Sequence, residues 1–511
     1  MTNNTANNKR IAKNTLMLYF RMLFLMAIGL YTSRILLATL GVEDFGIYNA
    51  VGGFVAMFHI INQAMSTATQ RFLSFEIGKD DGQRVTRIFS TAVVIHVILA
   101  LIILVVAETI GLWFLNYKMV FPADRYVAAN WVFQFSIFTF MVNVVSVPYN
   151  AALIAYERMS AFAYVSIIEG ILKLLIVYLI IYSGFDKLVF YAFLFSLVAI
   201  CIRGIYGIYV NRKLKDCRNT WKMDKNVRGE MMSFVSWNLI GSTAGIVQDH
   251  GLSILLNVFF GAAVNAARGI SIQVLHAVSG FVSNFNLAMN PQIIKSYSSG
   301  HKEDMFMLAI RGSKFSFMLM TILSIPIIVE TPYLLNLWLV EVPEHTVVFV
   351  RIILLIALVD SMKYTLVASV HASGKVKLYQ LTNGIVSLMT IPTAYVVLSL
   401  GYSPASALFV SLFISIVCHF IRLVVLRKIV MFPVGVFLKT VTFRMLVVFA
   451  ISISLPYHLV CVMPETFMSF MCICLISVLF SLMVCYIIGM SVTEREFMKE
   501  RVVMIKNKFT K

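Results

Sequence analysis

The sequence predicts an all-α polytopic membrane protein with about fourteen transmembrane helices: two six-helix lobes related as parallel repeats, plus two extra C-terminal helices. Three observations predict it: the hydropathy of the chain, the alternation of charge between its apolar runs, and an internal repeat. The chain has 511 residues, is 60% hydrophobic and only 13% charged, and has a mean hydropathy of +0.86. A soluble domain has no way to hide that much apolar surface. Runs long enough to cross a bilayer recur from end to end, and such lengths indicate helices, since barrel strands are shorter and alternate in polarity.

The runs lie near 11–37, 46–68, 88–112, 127–150, 160–182, 187–209, 232–258, 262–290, 311–333, 346–370, 381–400, 403–426, 441–461 and 465–489. The net charge of +18 is concentrated in every second connection. Lys9, Arg10 and Lys13 precede the first run, Arg71, Lys79, Arg84 and Arg87 follow the second, and Arg158 follows the fourth. Basic residues crowd the segment after the sixth, recur after the eighth (Lys295, Lys302), tenth (Lys375, Lys377) and twelfth (Arg427, Lys428), and fill the tail. The alternate connections carry mainly acids, among them Glu43, Asp44, Asp124, Asp186, Glu341, Glu344 and Glu465. The positive-inside rule then places both termini of a multi-pass protein in the cytoplasm, and ties the basic balance to the membrane rather than to nucleic acid. Arg21 interrupts the first run and no small-residue cleavage site follows, so that run does not read as a signal peptide. The seven cysteines form no CxxC pair, lie mostly in or beside apolar runs, and read as small buried hydrophobes; no metal site is expected.

The repeat sets the domain organisation. Gln70 to Gly78 (QRFLSFEIG) matches Gln292 to Gly300 (QIIKSYSSG) at an offset of 292 − 70 = 222, and Glu108-Thr109 matches Glu330-Thr331 at the same offset. Tyr149 and Tyr164 match Tyr364 and Tyr379 at 364 − 149 = 215. The expected parts are an N-terminal lobe over 1–210, a basic cytoplasmic linker over 211–230, a C-terminal lobe over 231–430, two further helices over 431–490 and a basic tail over 491–511.

Polar residues inside the apolar runs mark the functional face. Asn238, Ser242, Gly245, Asp249 and Ser253 fall on one narrow stripe of the seventh run. Across a turn near Gly261, Arg268, Ser279, Ser283, Asn286 and Asn290 share a second stripe, with His276 at its edge. The runs opening the first lobe do the same: Asn14 and Arg21 on the first, and His59, Gln63, Ser66 and Gln70 on the second. Polar groups in hydrocarbon are expensive and normally face a bundle interior or a wet cavity, so these faces are expected to line a water-accessible path. An Arg near mid-membrane costs on the order of 2.5–3.5 kcal/mol on insertion scales. Arg21 lies near the middle of its run; Arg34 and Arg268 lie nearer the outer side, where snorkelling to the interface is their other reading. All three are candidate ligands for the phosphate of an anionic amphiphile, which the guanidinium fork suits. The other reading of Arg21 is an ion pair with Asp249 or Glu169. Asp249 is the candidate for H⁺ or Na⁺ coupling; no other cofactor is called for, and nothing in the chain reads as an enzyme. Glu169 with Lys173, and Asp360 with Lys363, read as intrahelical ion pairs.

Two segments carry a family resemblance: Ser33 to Tyr48 (SRILLATLGVEDFGIY), similar to an opening "SR…LG..DFG.Y" signature, and Ala368 to Lys375 (ASVHASGK). With the hydropathy pattern and the repeat, the chain resembles a Wzx-type polysaccharide or O-antigen flippase of the multidrug/oligosaccharidyl-lipid/polysaccharide (MOP) transporter superfamily. The resemblance implies two six-helix bundles in a V around a cationic lumen lined by the first, second, seventh and eighth helices. It implies a polyprenyl-diphosphate-linked oligosaccharide as cargo, moved to the outer leaflet by H⁺ or Na⁺ antiport for O-antigen or lipopolysaccharide synthesis. It also implies partnership with a polysaccharide polymerase and chain-length machinery, and a groove for the prenyl tail at the last two helices.

An ABC exporter is disfavoured because no G-x-x-x-x-G-K-[ST] motif exists, and a major-facilitator transporter because the connection after the second run lacks that family's motif. A membrane glycosyltransferase would need larger outer loops. The alternative is a cation-coupled multidrug or small-molecule extruder of the same superfamily, which typically has twelve spans and first-lobe carboxylates.

Overall fold

The structure, a computed structural model, describes the backbone of residues 2–56, 58–117, 122–339 and 342–496. Side chains are described for these residues except 2–12, 30, 33–34, 37, 42–43, 45, 49–50, 52–54, 56, 59–60, 123 and 262. The regular elements among the described residues are all helices, with no strand. The fold is therefore all-α, as the length of the apolar runs requires.

Helix α1 (Thr2–Ala56) carries the first run and the start of the second, and α2 (His59–Gly78) completes the second. The Asp81 side chain caps α3 (Gly82–Val106), which passes through a π-turn into α4 (Leu112–Tyr117). Then come α5 (Tyr126–Ala155), α6 (Met159–Ile181) and α7 (Lys187–Lys213), the last capped by Asp186. The irregular linker is held to α3: the Ser90 hydroxyl donates to the Arg218 carbonyl, and the Thr220 and Asp224 N–H groups donate to Ser90 and Thr91. Asp224 then caps the long α8 (Lys225–Ser298).

The rest comprises α9 (Lys302–Val329), α10 (Thr331–Trp338), α11 (Thr346–Ser361), α12 (Lys363–Ser373), α13 (Val376–Leu388), α14 (Thr390–Ser399) and α15 (Pro404–Val430). The short α16 (Val434–Phe437) leads through a π-turn into α17 (Arg444–Val462), and α18 (Phe467–Val484) follows. Among the described residues nine helical stretches are long and apolar enough to cross a membrane. The remaining expected runs fall where polar residues or breaks interrupt the apolar character: α1 and α8 bear the polar stripes, and the run over 346–370 divides at Met362, between Asp360 and Lys363.

The chain forms two compact units, Met1–Ser242 with Leu287–His301 and Thr243–Asn286 with Lys302–Lys511. In the first, Leu18, Ile154, Met159 and Ala288 pack together. In the second, Leu252, Leu256, Phe349 and Ile352 belong to one core cluster. Large apolar side chains such as Val105, Phe413 and Leu475 are exposed, as a lipid-facing surface requires.

The backbone carries the repeat in a form that side-chain identity conceals. Gly41 breaks α1 at φ 79, ψ 171, and Gly261 breaks α8 at φ 80, ψ −170, an offset of 261 − 41 = 220. This region is essentially reserved for glycine. Two further pairs of left-handed turns recur at nearly the same spacing: Asp80 (φ 60) and Gly300 (φ 85), 300 − 80 = 220 apart, and Glu157 (φ 58) and Gly374 (φ 74), 374 − 157 = 217 apart.

Candidate functional site

The break at Gly261 folds the two arms of α8 together, and a buried charge of the second unit lies between them. Arg268, 3% exposed, sits on the C-terminal arm. Its Nη2 donates to the Asp249 carboxylate at 2.6 Å and to the Asp249 carbonyl at 3.0 Å, while its Nε donates to Ser253 Oγ at 2.8 Å. The Asp249 carboxylate is 63% exposed. A buried cation is thus held by an accessible anion. The sequence gives Arg268 and Asp249 separate tasks, anion binding and ion coupling; the structure joins them in one ion pair. Chemically, anything that neutralises Asp249 loosens its hold on the guanidinium.

The rest of the stripe divides in two. Ser242, His276 and Ser283 are exposed and Ser279 is half-buried; on α2, Gln63 is exposed and Ser66 and Gln70 are half-buried. Asn14, Asn238 and Asn286 depart from the expected wet face: all three are buried. Asn238 donates to the Phe234 carbonyl at 3.1 Å; Asn286 donates to the Val282 carbonyl at 2.7 Å and to Ser316 Oγ at 2.9 Å. The last two amides bond back one helical turn, the local option that makes a polar side chain tolerable in apolar packing. The Asn14 amide reaches the Glu157 carbonyl at 3.4 Å. The Arg34 and His59 side chains lie outside the described residues.

Arg21 is half-buried, its guanidinium 4.7 Å from the Phe162 ring centroid. Of the carboxylates weighed as its partners, Glu169 pairs with Lys173 at 2.6 Å while still lying close enough to attract Arg21, and Asp249 pairs with Arg268. Asp360 and Lys363 pair at 2.5 Å, and Ser415 adds a bond to Asp360 at 2.8 Å.

The sequence reading missed Glu157. It occupies a left-handed turn between α5 and α6, is 8% exposed, and receives Lys295 Nζ at 2.7 Å and Gln292 Nε2 at 3.0 Å. Both donors belong to the repeated Gln292–Gly300 segment. An acid inside a connection that charge alternation marks as basic was the available signal. Among the described residues no three His, Cys, Asp or Glu side chains gather as a metal site.

No protein-family model matches the sequence, and no curated protein does. Solved structures do match. An outward-facing multidrug resistance MATE family transporter of the MOP superfamily superposes with a TM-score of 0.72 at 11% identity, over 84% of this chain and 96% of that one. The fold is similar to that of this transporter. The Vibrio cholerae MATE transporter VcmN, in a mutant form, matches at 0.67 and 16% identity over 84% and 98%. A Pyrococcus furiosus MOP-superfamily transporter matches at 0.69 and 12% over 84% and 96%; its binding pocket is described as having reversed polarity, suggesting a different function. At these identities the likeness is one of fold. Combined with the apolar helices, it makes the chain a multi-pass membrane protein with a MATE-like architecture.

Proposed function

We propose that this chain is a secondary transporter that moves its cargo by alternating access along the polar faces of α1, α2 and α8. The observation that carries the reading is the Asp249–Arg268 pair at the break of α8, because ionisable side chains inside a membrane generally mark a substrate or ion path. Of the two cargos, a small molecule extruded by ion exchange is the one the solved neighbours support better, since one is a multidrug resistance transporter. The flippase reading, with a polyprenyl-diphosphate oligosaccharide as cargo and polymerase and chain-length machinery as partners, rests on the signature at Ser33–Tyr48 and on extra length. The neighbours are covered almost completely, yet account for 84% of this chain. On either reading the basic connections face the cytoplasm.

The ion pair gives the two cargos opposite linkage to the coupling ion. A cationic drug competes with H⁺ or Na⁺ for Asp249, so ion and cargo exclude one another. An anionic diphosphate takes the guanidinium that a neutralised Asp249 releases, so ion and cargo bind together. Ligand binding to the purified protein, followed against pH and Na⁺, distinguishes them. A cationic dye released by acid or Na⁺ supports the extruder; a polyprenyl diphosphate held more tightly under the same conditions supports the flippase. If Asp249→Asn leaves the ion dependence of both ligands unchanged, the pair is not the coupling site.

A further inference from the structure

We propose that the first unit holds an anion-binding site of its own, a cavity of about 860 Å³ at the basic end of its bundle that takes a phosphate-bearing group. The site does not depend on which cargo is carried. Three cations line it: Lys13 on α1, Arg158 where α6 begins, and Lys295 near the end of α8. The one carboxylate among the lining residues, Glu157, is bonded to Lys295 at 2.7 Å and to Gln292 at 3.0 Å. Lys13 and Arg158 are exposed, and neither has an ion-pair partner among the described residues. The lining therefore carries a surplus of two positive charges, and the Tyr209 and Ser160 hydroxyls add hydrogen-bond capacity. A cation entering this space meets one carboxylate, already taken. An oxyanion meets two free cations, one of them an arginine fork matched to phosphate oxygens. The volume lies within the range of small-molecule sites, room for a diphosphate and part of what it carries.

The backbone of Glu157 is the second argument. A non-glycine residue in the left-handed region costs on the order of 1 kcal/mol, and at the corresponding turn of the second half Gly374 avoids that cost. In the first half the cost is met for a side chain that repels anions. The carboxylate is therefore a positioning group. It anchors Lys295, whose side chain is 20% exposed, so that the ammonium stays at the cavity wall.

The phosphate has two possible sources, the headgroup of a lipid in the facing leaflet or a soluble phosphate compound. Titrating the full chain in detergent with inorganic pyrophosphate, followed by calorimetry, tests the site without any transport step. Replacing both free cations, Lys13→Gln with Arg158→Gln, should weaken pyrophosphate on the order of tenfold. The melting temperature should hold, because both side chains are exposed. Glu157→Gln, which takes the one negative charge out of the lining while its amide oxygen can still accept from Lys295, should tighten binding severalfold. Equal affinity in the wild type and the double variant, or no pyrophosphate binding by the wild type, overturns the proposal. Repeating the titration in phosphatidylcholine nanodiscs with and without polyprenyl diphosphate assigns the source. Loss of pyrophosphate binding in the doped discs identifies the lipid headgroup, and an unchanged isotherm identifies a soluble ligand. A transport-inactive protein that still binds pyrophosphate leaves this site standing, and failure here leaves the transporter reading untouched.

Discussion

Arg268 and Asp249 lie 268 − 249 = 19 residues apart in sequence and 2.6 Å apart in space, because Gly261 between them turns the chain through a conformation that other residues resist. A Cβ added at Gly261 would meet nothing within 4 Å, so the cost of a side chain there is purely that of the backbone. Gly261→Ala should destabilise the protein by about 1–3 kcal/mol, seen as a lowered melting temperature in detergent. An unchanged melt would mean that the break does not need glycine. Asp249→Asn should cost about 1–2 kcal/mol, below the 3–5 of a fully buried pair, because water already screens the exposed carboxylate. Arg268→Gln, which removes the buried charge itself, should cost less than Asp249→Asn; the reverse order would contradict the view that desolvation of the guanidinium dominates. The polar stripes were readable in the sequence because helical periodicity is local. Their division into open and buried members was not. Asn286 is withdrawn from open space by Ser316, thirty residues away on another helix, and no spacing rule within one helix foretells that contact.

Element ends are where charge fixes the helices of the first unit. At the acidic end, Arg125, in the short turn before α5, joins Asp44 on α1 to Asp186 at the start of α7, donating from Nη1 to Asp186 at 2.6 Å and from Nε to Asp44 at 2.7 Å. Burial alone would raise the Asp186 carboxyl, but bonds from the Val189 N–H and from Arg125 outweigh it and hold the group below its ordinary value. A depressed carboxyl contributes stability that is present above its unfolded pKa, about 4, and is lost as the pH falls through the folded value. The melting-temperature gap between the wild type and Arg125→Gln should therefore be largest near neutrality and close as the pH drops below about 4. A gap independent of pH would assign the effect of Arg125 to packing. Charge alternation in the sequence marked Asp44 and Asp186 as belonging to one side of the membrane, but it took folding to bring them to a single arginine. Glu157 escaped the sequence reading for a related reason: its partners, Gln292 and Lys295, come from the far end of α8.

On the scale of the whole molecule, hydropathy was enough to specify an all-helical membrane protein, since a bilayer accepts few ways of satisfying a backbone. The internal repeat was faintly legible as matched residues and is plainer in the paired backbone breaks at Gly41 and Gly261. Cargo is another matter, because one fold carries many functions and only the side chains of the site decide among them. The central claim is that the exposed polar residues of α2 and α8 face water inside the membrane. The most direct test introduces single cysteines at Gln63, Ser242, His276 and Ser283, in a background with the seven native cysteines replaced, and measures labelling by a membrane-impermeant maleimide in intact membranes. A control cysteine replaces Ile254, an exposed apolar residue on the same helix as Ser242. Labelling at the four polar positions and none at Ile254, with cargo or coupling ion altering the rates, is the expected result. Four positions as unreactive as Ile254 in every condition would contradict the account.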